Sequence, residues 1–128
     1  MHNNANQPIA LRPARARRTY RGGANIERWH SAPNPAISER PEEWVCSVTE
    51  AVNAGFGKIE GEGLSFLVSD RAMSLRGLIH TDPEAFLGRR HLEAYGENLA
   101  VLVKLIDSAQ RLSIQVHPDR MFAKKFLK

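Results

Sequence analysis

Three polar residues alternate with apolar ones near the C-terminal end of this 128-residue sequence: Ser113, Gln115 and His117. Alternate side chains of a β-strand point to the same face, so these three would share one face. The Cα atoms of Gln115 and His117 would lie roughly 6.6 Å apart, since a strand rises about 3.3 Å per residue. An amide oxygen and an imidazole nitrogen at this separation can reach one metal ion about 2 Å from each donor atom. A polar strand face is more often merely solvated, so spacing alone leaves both interpretations open.

A predicted β-hairpin would present this polar face. Residues 99–106 form an apolar run of strand length, and residues 112–117 alternate apolar and polar side chains with period two. The intervening residues 107–110 have the composition of a turn, and Pro118 closes the second strand. We therefore predict two antiparallel strands with one chemically rich face.

Upstream of the hairpin, the sequence predicts short strands and short helices. Residues 8–11 and 42–49 are predicted strands, the second because it is rich in β-branched and aromatic residues. Apolar residues at helical spacing predict helices near 74–80 and 83–95. The polar residues 1–7 predict a disordered lead-in to a single domain.

Composition excludes several classes of protein. A hydrophobic share of 42% and a charged share of 25% are typical of soluble globular proteins. The sequence has no run of eighteen apolar residues, so we expect no transmembrane helix and no membrane partner. The polar N-terminus lacks the apolar stretch of a secretory signal, and Cys46 is the only cysteine. These features favour the reducing cytoplasm.

The sequence is basic, with a net charge of +4 and a pI of about 9.6. Its basic residues cluster in a run of five arginines over 12–21 and in three lysines over 124–128. Neither cluster carries interleaved aromatic residues or a DNA-binding helix pattern, so we do not expect nucleic-acid binding. We interpret the arginine run as a solvated face, with attraction of a phosphate as the remaining interpretation.

The other reactive residues show no site pattern. Cys46 has no evident partner base, and cysteine is among the most often buried residue types, so we predict that it packs in the core. Glu42 and Glu43 are adjacent and would point to opposite faces of a strand, and Trp44 is predicted to be core. Three histidines lack ligand spacing and are predicted to be exposed or half-buried: His30, His80 and His91.

The string LSIQVHPD at residues 112–119 resembles the LSIQVHP signature of type I mannose-6-phosphate isomerases, also called phosphomannose isomerases. Residues 102–107 resemble the strand before that signature, and residues 122–125 resemble the segment after it. The resemblance extends more loosely to earlier parts of the chain.

Residues 21–23 resemble the W-G-G opening of that family, with Tyr20 near the place of its tryptophan. Residues 43–47 resemble the family's E-x-W-x-x-S strand, and residues 62–65 fit its bacterial members. The resemblance covers the chain from about Pro8 onward, but only the N-terminal part of a full family member.

This resemblance implies a fold and a reaction. The implied fold is mainly β with short helices: an incomplete cupin-like antiparallel jelly roll over 8–128 with a helical insertion near 74–95. The implied reaction interconverts mannose 6-phosphate and fructose 6-phosphate with one zinc ion. Gln115 and His117 would ligate the zinc, and Ser113 and Lys104 would line the pocket of the sugar phosphate.

The family completes its zinc site with a glutamate and a second histidine further along the chain, and a distal arginine assists catalysis. Residues 1–128 hold none of these, so the catalytic residues are expected beyond the C-terminus. We therefore expect the chain alone to be inactive unless a second chain completes the site. The alternative interpretation is a cupin-like module that binds a sugar or a metal without catalysis.

Overall fold

The computed structural model describes residues 6–53 and 55–126. Residues 1–5 of the predicted lead-in lie outside this part. In chain order the elements are β1 (Arg15–Ala16), α1 (Asn25–Trp29), β2 (Glu42–Val45), α2 (Leu75–Thr81), α3 (Pro83–Leu87), α4 (Arg89–Tyr95), β3 (Val103–Ile106) and α5 (Arg120–Phe126). More residues lie in these helices than in the strands. Within the described ranges, every helix is too short or too polar to cross a membrane.

The three strands form one antiparallel sheet in the order β1-β2-β3. The register of the central strand places Glu43 opposite Arg15 and Trp44 opposite Lys104. The strand predicted over 42–49 is confirmed in its first half. It ends at Val45, because the next residue, Cys46, has a φ of 52°, which is incompatible with an extended strand. An antiparallel sheet with short helices is thus confirmed, and the jelly roll stays a prediction.

The predicted hairpin over 99–117 is wrong. β3 covers only part of its first strand, and it pairs with β2, whereas residues 112–117 form no strand. A β-strand is stabilised by hydrogen bonds to a neighbouring strand, and no described strand lies beside this segment. Its apolar side chains therefore remain in solvent, with Ile114 and Val116 exposed by 91% and 87%. The strand predicted over 8–11 is likewise reduced to an isolated bridge between Leu11 and Leu67.

The helix predicted near 74–80 is confirmed as α2. Its N-cap Ser74 accepts a hydrogen bond from the backbone N–H of Gly77 at 3.0 Å. The single helix predicted over 83–95 is instead two helices, α3 and α4, separated by Gly88. Gly88 has a φ of 78°, which breaks the helical path and which glycine adopts without steric cost.

Two small buried clusters form the core. One contains Ala14, Ala16 and Trp44, and the other contains Val48, Leu75 and Ile79. Trp44 is 4% exposed, which confirms it as a core residue. The backbone of Gly63 approaches its ring so closely that an added Cβ would lie 2.8 Å from a ring carbon. The prediction for Cys46 was wrong, because this residue is exposed.

The arginine run is not a solvated face. Arg15 donates to the carbonyl of Arg40, Arg17 pairs with Glu62, and Arg18 pairs with Glu42. The side chains of Arg17 and Arg18 are only 16% and 18% exposed. The interpretation as a solvated face fails for these three arginines because acceptors distant in sequence, two carboxylates and one backbone carbonyl, meet them in the fold.

Candidate functional site

Charged and polar side chains converge on the carboxylate of Glu42 in β2, whose side chain is 6% exposed. Its Oε1 accepts the hydroxyl hydrogen of Tyr20 at 2.7 Å, and its Oε2 accepts the indole N–H of Trp44 at 2.8 Å. The same Oε2 lies 3.0 Å from Nε of Arg18 and 3.3 Å from Nζ of Lys104. We call these five residues the Glu42 cluster.

The sheet positions the Glu42 cluster. Glu42 and Trp44 are two residues apart on β2, so their side chains share one face, and the β2–β3 register sets Lys104 opposite Trp44. Arg18 follows β1, and its guanidinium carbon lies 4.9 Å from the centre of the Trp44 ring. The Nζ of Lys104 lies 5.1 Å from the same ring, so both cations lie within cation–π range.

Glu42 is held in its charged form. Burial would raise the pKa of its carboxyl, but hydrogen bonds from Trp44 and Tyr20 and the charges of Arg18 and Lys104 outweigh burial and lower that pKa. Burial, together with the hydrogen bond and the negative charge of Glu42, raises the pKa of Tyr20 far above its ordinary value. At neutral pH, Tyr20 therefore stays a hydrogen-bond donor and Glu42 an acceptor.

The cluster suits an anionic ligand. Two cations share one carboxylate, so the cluster carries one net positive charge. The side chain of Lys104 is 31% exposed, more than those of Arg18 and Glu42. A half-exposed ammonium group beside a fixed carboxylate can bind a phosphate without a large loss of hydration.

A second network adjoins the Glu42 cluster. The carboxylate of Glu62 accepts hydrogen bonds from the backbone N–H and Nε of Arg17 at 2.9 and 3.0 Å, and from Asn53 at 3.1 Å. Burial would raise the pKa of Glu62, but these bonds to Arg17 and Asn53 lower it. Arg18 joins the two networks, because its guanidinium donates to the amide oxygen of Asn53.

Of the four residues predicted to form the site, the structure brings one into the Glu42 cluster. Lys104 lies there, whereas Ser113, Gln115 and His117 are exposed on the segment between β3 and α5. In the described part of the chain, these three form no hydrogen bond or ion pair with the cluster. This segment forms no backbone hydrogen bonds with a described strand, so its alternating sequence pattern alone does not position it against the sheet.

Two neutral donors are too few for a catalytic zinc site. Gln115 and His117 are ligand types that zinc accepts, but catalytic zinc ions usually take three protein ligands. Among residues 6–53 and 55–126, no group of three or more His, Cys, Asp or Glu side chains is arranged to hold a metal ion. Gln115 and His117 would therefore be only a partial donor set for a catalytic zinc ion.

Sequence reasoning missed the buried carboxylates. Glu43 is 8% exposed at its side chain, and its Oε2 lies 2.7 Å from Nε2 of His30. Glu42 and Glu43 do point to opposite faces, as predicted, but each meets a partner inside the fold. The signal that could have found Glu42 was Trp44 two residues later, since a polar side chain beside a buried indole N–H is a candidate acceptor.

Comparison with known proteins assigns the chain to a family. Residues 62–128, just over half of the chain, match the family described as phosphomannose isomerase type I, catalytic domain. This span includes all four of the predicted site residues, Lys104, Ser113, Gln115 and His117. The chain is also similar to mannose-6-phosphate isomerase 1 of Arabidopsis thaliana, with 45% identity over 56 residues. That alignment covers 44% of this chain and 13% of the relative. No solved structure matches the chain.

Proposed function

The chain belongs to the type I phosphomannose isomerase family, and on this premise we propose that it takes part in interconverting mannose 6-phosphate and fructose 6-phosphate. The observation that supports the proposal is the family match, which spans Lys104 and the whole 112–119 signature. We propose a small sugar phosphate as the ligand and the cytoplasm as the compartment. The three-stranded sheet would be part of a cupin-like jelly roll.

Lys104 is the proposed contact for the phosphate group. Its ammonium is half-exposed beside Glu42, where a net positive charge attracts an anion. Ser113 is proposed to add a hydroxyl donor to the same sugar phosphate. Glu42 stays ionised and hydrogen-bonded at neutral pH, so its role is to orient cations rather than to carry a proton.

Gln115 and His117 are the proposed zinc ligands in this chain. A bound zinc ion would supply a Lewis acid or a template for the oxygens at C1 and C2 of the sugar. Because two donors fall short of a catalytic site, further ligands and the catalytic residues are proposed to come from outside the described residues. A second chain is one such source.

A coupled isomerase assay with mannose 6-phosphate and added zinc tests this function. His117→Ala removes a proposed ligand, and His80→Ala is the matched control, because His80 is 77% exposed at its side chain. Activity that is lost in His117→Ala and kept in His80→Ala would support catalysis with a completed site. Activity equal in both variants would refute the role of His117.

The partial donor set favours one other function, a cupin-like module that binds metal or sugar without catalysis. Zinc binding, followed by calorimetry, would then depend on His117 although no isomerase turnover occurs. Zinc binding that is unchanged in His117→Ala would argue against both functions as stated.

A further inference from the structure

Three nitrogen atoms lie close to one oxygen of the Glu42 carboxylate. Its Oε2 is approached by Trp44 Nε1 at 2.8 Å, Arg18 Nε at 3.0 Å and Lys104 Nζ at 3.3 Å. Trp44 donates a hydrogen bond to this oxygen, whereas Arg18 and Lys104 form ion pairs with it. The longest of the three contacts is that of Lys104, which is therefore the cation most easily released.

We propose that Lys104 leaves Glu42 when a phosphate group binds, and that Arg18 stays behind as the counter-ion that permits this release. The inference rests on the proposed sugar-phosphate function and deepens it. Arg18 is thus a positioning residue: it does not touch the ligand but controls whether Lys104 is free to bind it.

The surroundings of the two cations explain why Lys104 moves and Arg18 does not. The side chain of Lys104 is 31% exposed, against 18% for Arg18. The guanidinium of Arg18 also donates to the carbonyl oxygen of Arg17 and to Asn53. A planar guanidinium with several fixed acceptors is held in place, whereas the ammonium of lysine lies on a flexible four-carbon stem.

The need for Arg18 follows from the burial of Glu42. In the described part of the chain, Arg18 and Lys104 are the two cations paired with this 6%-exposed carboxylate. Without Arg18, departure of Lys104 would leave a buried carboxylate with no counter-ion, which is strongly unfavourable. Glu42 would then retain Lys104 and compete with the phosphate for it.

NMR of the unmodified chain tests the movement directly. Side chains stacked on an indole have proton resonances shifted by its ring current, and both cations lie over Trp44. On titration with fructose 6-phosphate, the Lys104 methylene resonances should move towards unshifted values while those of Arg18 stay shifted. If both sets move, or if the Lys104 set stays shifted although the ligand binds, the proposal is overturned.

Substitutions distinguish this inference from the proposed function. For each variant, the affinity for fructose 6-phosphate is measured by the same NMR titration. Lys104→Met tests the function: an unchanged affinity refutes Lys104 as the phosphate contact. If Lys104→Met weakens binding, Arg18→Gln should weaken it about tenfold, the order expected for one charge-assisted hydrogen bond.

The matched control is Arg21→Gln, which removes the same charge from an exposed position of the same arginine run. Equal affinities of Arg18→Gln and Arg21→Gln would overturn the role of Arg18 and leave that of Lys104 standing. Arg18→Lys keeps the charge and should restore most of the affinity. Should Arg18→Gln fail to fold, the ring-current titration of the unmodified chain decides the question on its own.

Discussion

Replacing Glu42 by glutamine removes one charge at nearly constant side-chain volume. The carboxylate accepts two hydrogen bonds and is ion-paired with two cations, and its side chain is 6% exposed. An amide at this position retains one acceptor oxygen but carries no charge, so Arg18 and Lys104 lose their counter-ion. We therefore expect Glu42→Gln to destabilise the fold.

The burial of Glu42 sets the size of the stability loss expected for Glu42→Gln. Removing one partner of a fully buried ion pair costs about 3–5 kcal/mol. Arg18 and Lys104 remain 18% and 31% exposed, so water can hydrate them in part once their counter-ion is gone. We therefore expect the free energy of unfolding to fall by about 2–3 kcal/mol.

Urea unfolding followed by circular dichroism measures the effect. With a slope of about 2 kcal/mol per molar urea, the midpoint should fall by about 1–1.5 M. The matched control is Glu39→Gln, which removes the same charge at an exposed position and should change stability by no more than about 0.5 kcal/mol. If the two variants unfold at the same urea concentration, the buried carboxylate does not stabilise this fold and the reasoning fails.

Two further predictions concern the same part of the fold. Gly63→Ala should lower the free energy of unfolding by about 2 kcal/mol, because Gly63 has a φ of 87° and its Cβ would lie 2.8 Å from the Trp44 ring. Gly57→Ala, where a Cβ meets nothing within 4 Å, is the control, and equal thermal midpoints would contradict this account. The second prediction concerns pH. Because folding lowers the pKa of Glu42, its ionised carboxylate contributes fully to the free energy of unfolding above pH 4.5, the ordinary pKa of a glutamate. This contribution is lost as the pH falls through the pKa of the folded state. Urea midpoints from pH 7 to 3 should therefore fall less steeply for Glu42→Gln than for the unmodified chain, and parallel slopes would contradict the prediction.

Short-range sequence patterns predicted the helices better than they predicted the strands or the site. Apolar residues at helical spacing near 74–80 correctly predicted α2, because this spacing is set by a few neighbouring residues of the helix itself. The break at Gly88 was missed because glycine near the middle of a helical pattern does not reveal whether its φ will be positive.

The strands and the ion pairs depend on partners that are distant in sequence. Period-two alternation over 112–117 predicted a strand, yet alternation describes a surface that fits a sheet and does not supply the neighbouring strand. Arg17 and Arg18 looked like surface charges because Glu62 and Glu42 are far away in sequence. Lys104 was named as a site residue through the family resemblance, and its contact with Glu42 became visible only in the fold.

The pairing of Trp44 with Lys104 also constrains the order of folding. To form it, the chain must close a loop over residues 45–103, which costs on the order of 4 kcal/mol of chain entropy beyond a constant. Helices α2, α3 and α4 lie within that loop and depend on local contacts, so they can form first and shorten the search. Lys104 therefore joins the Glu42 cluster late in folding, and in a nascent chain Glu42 can pair with this second cation only after β3 has left the ribosome.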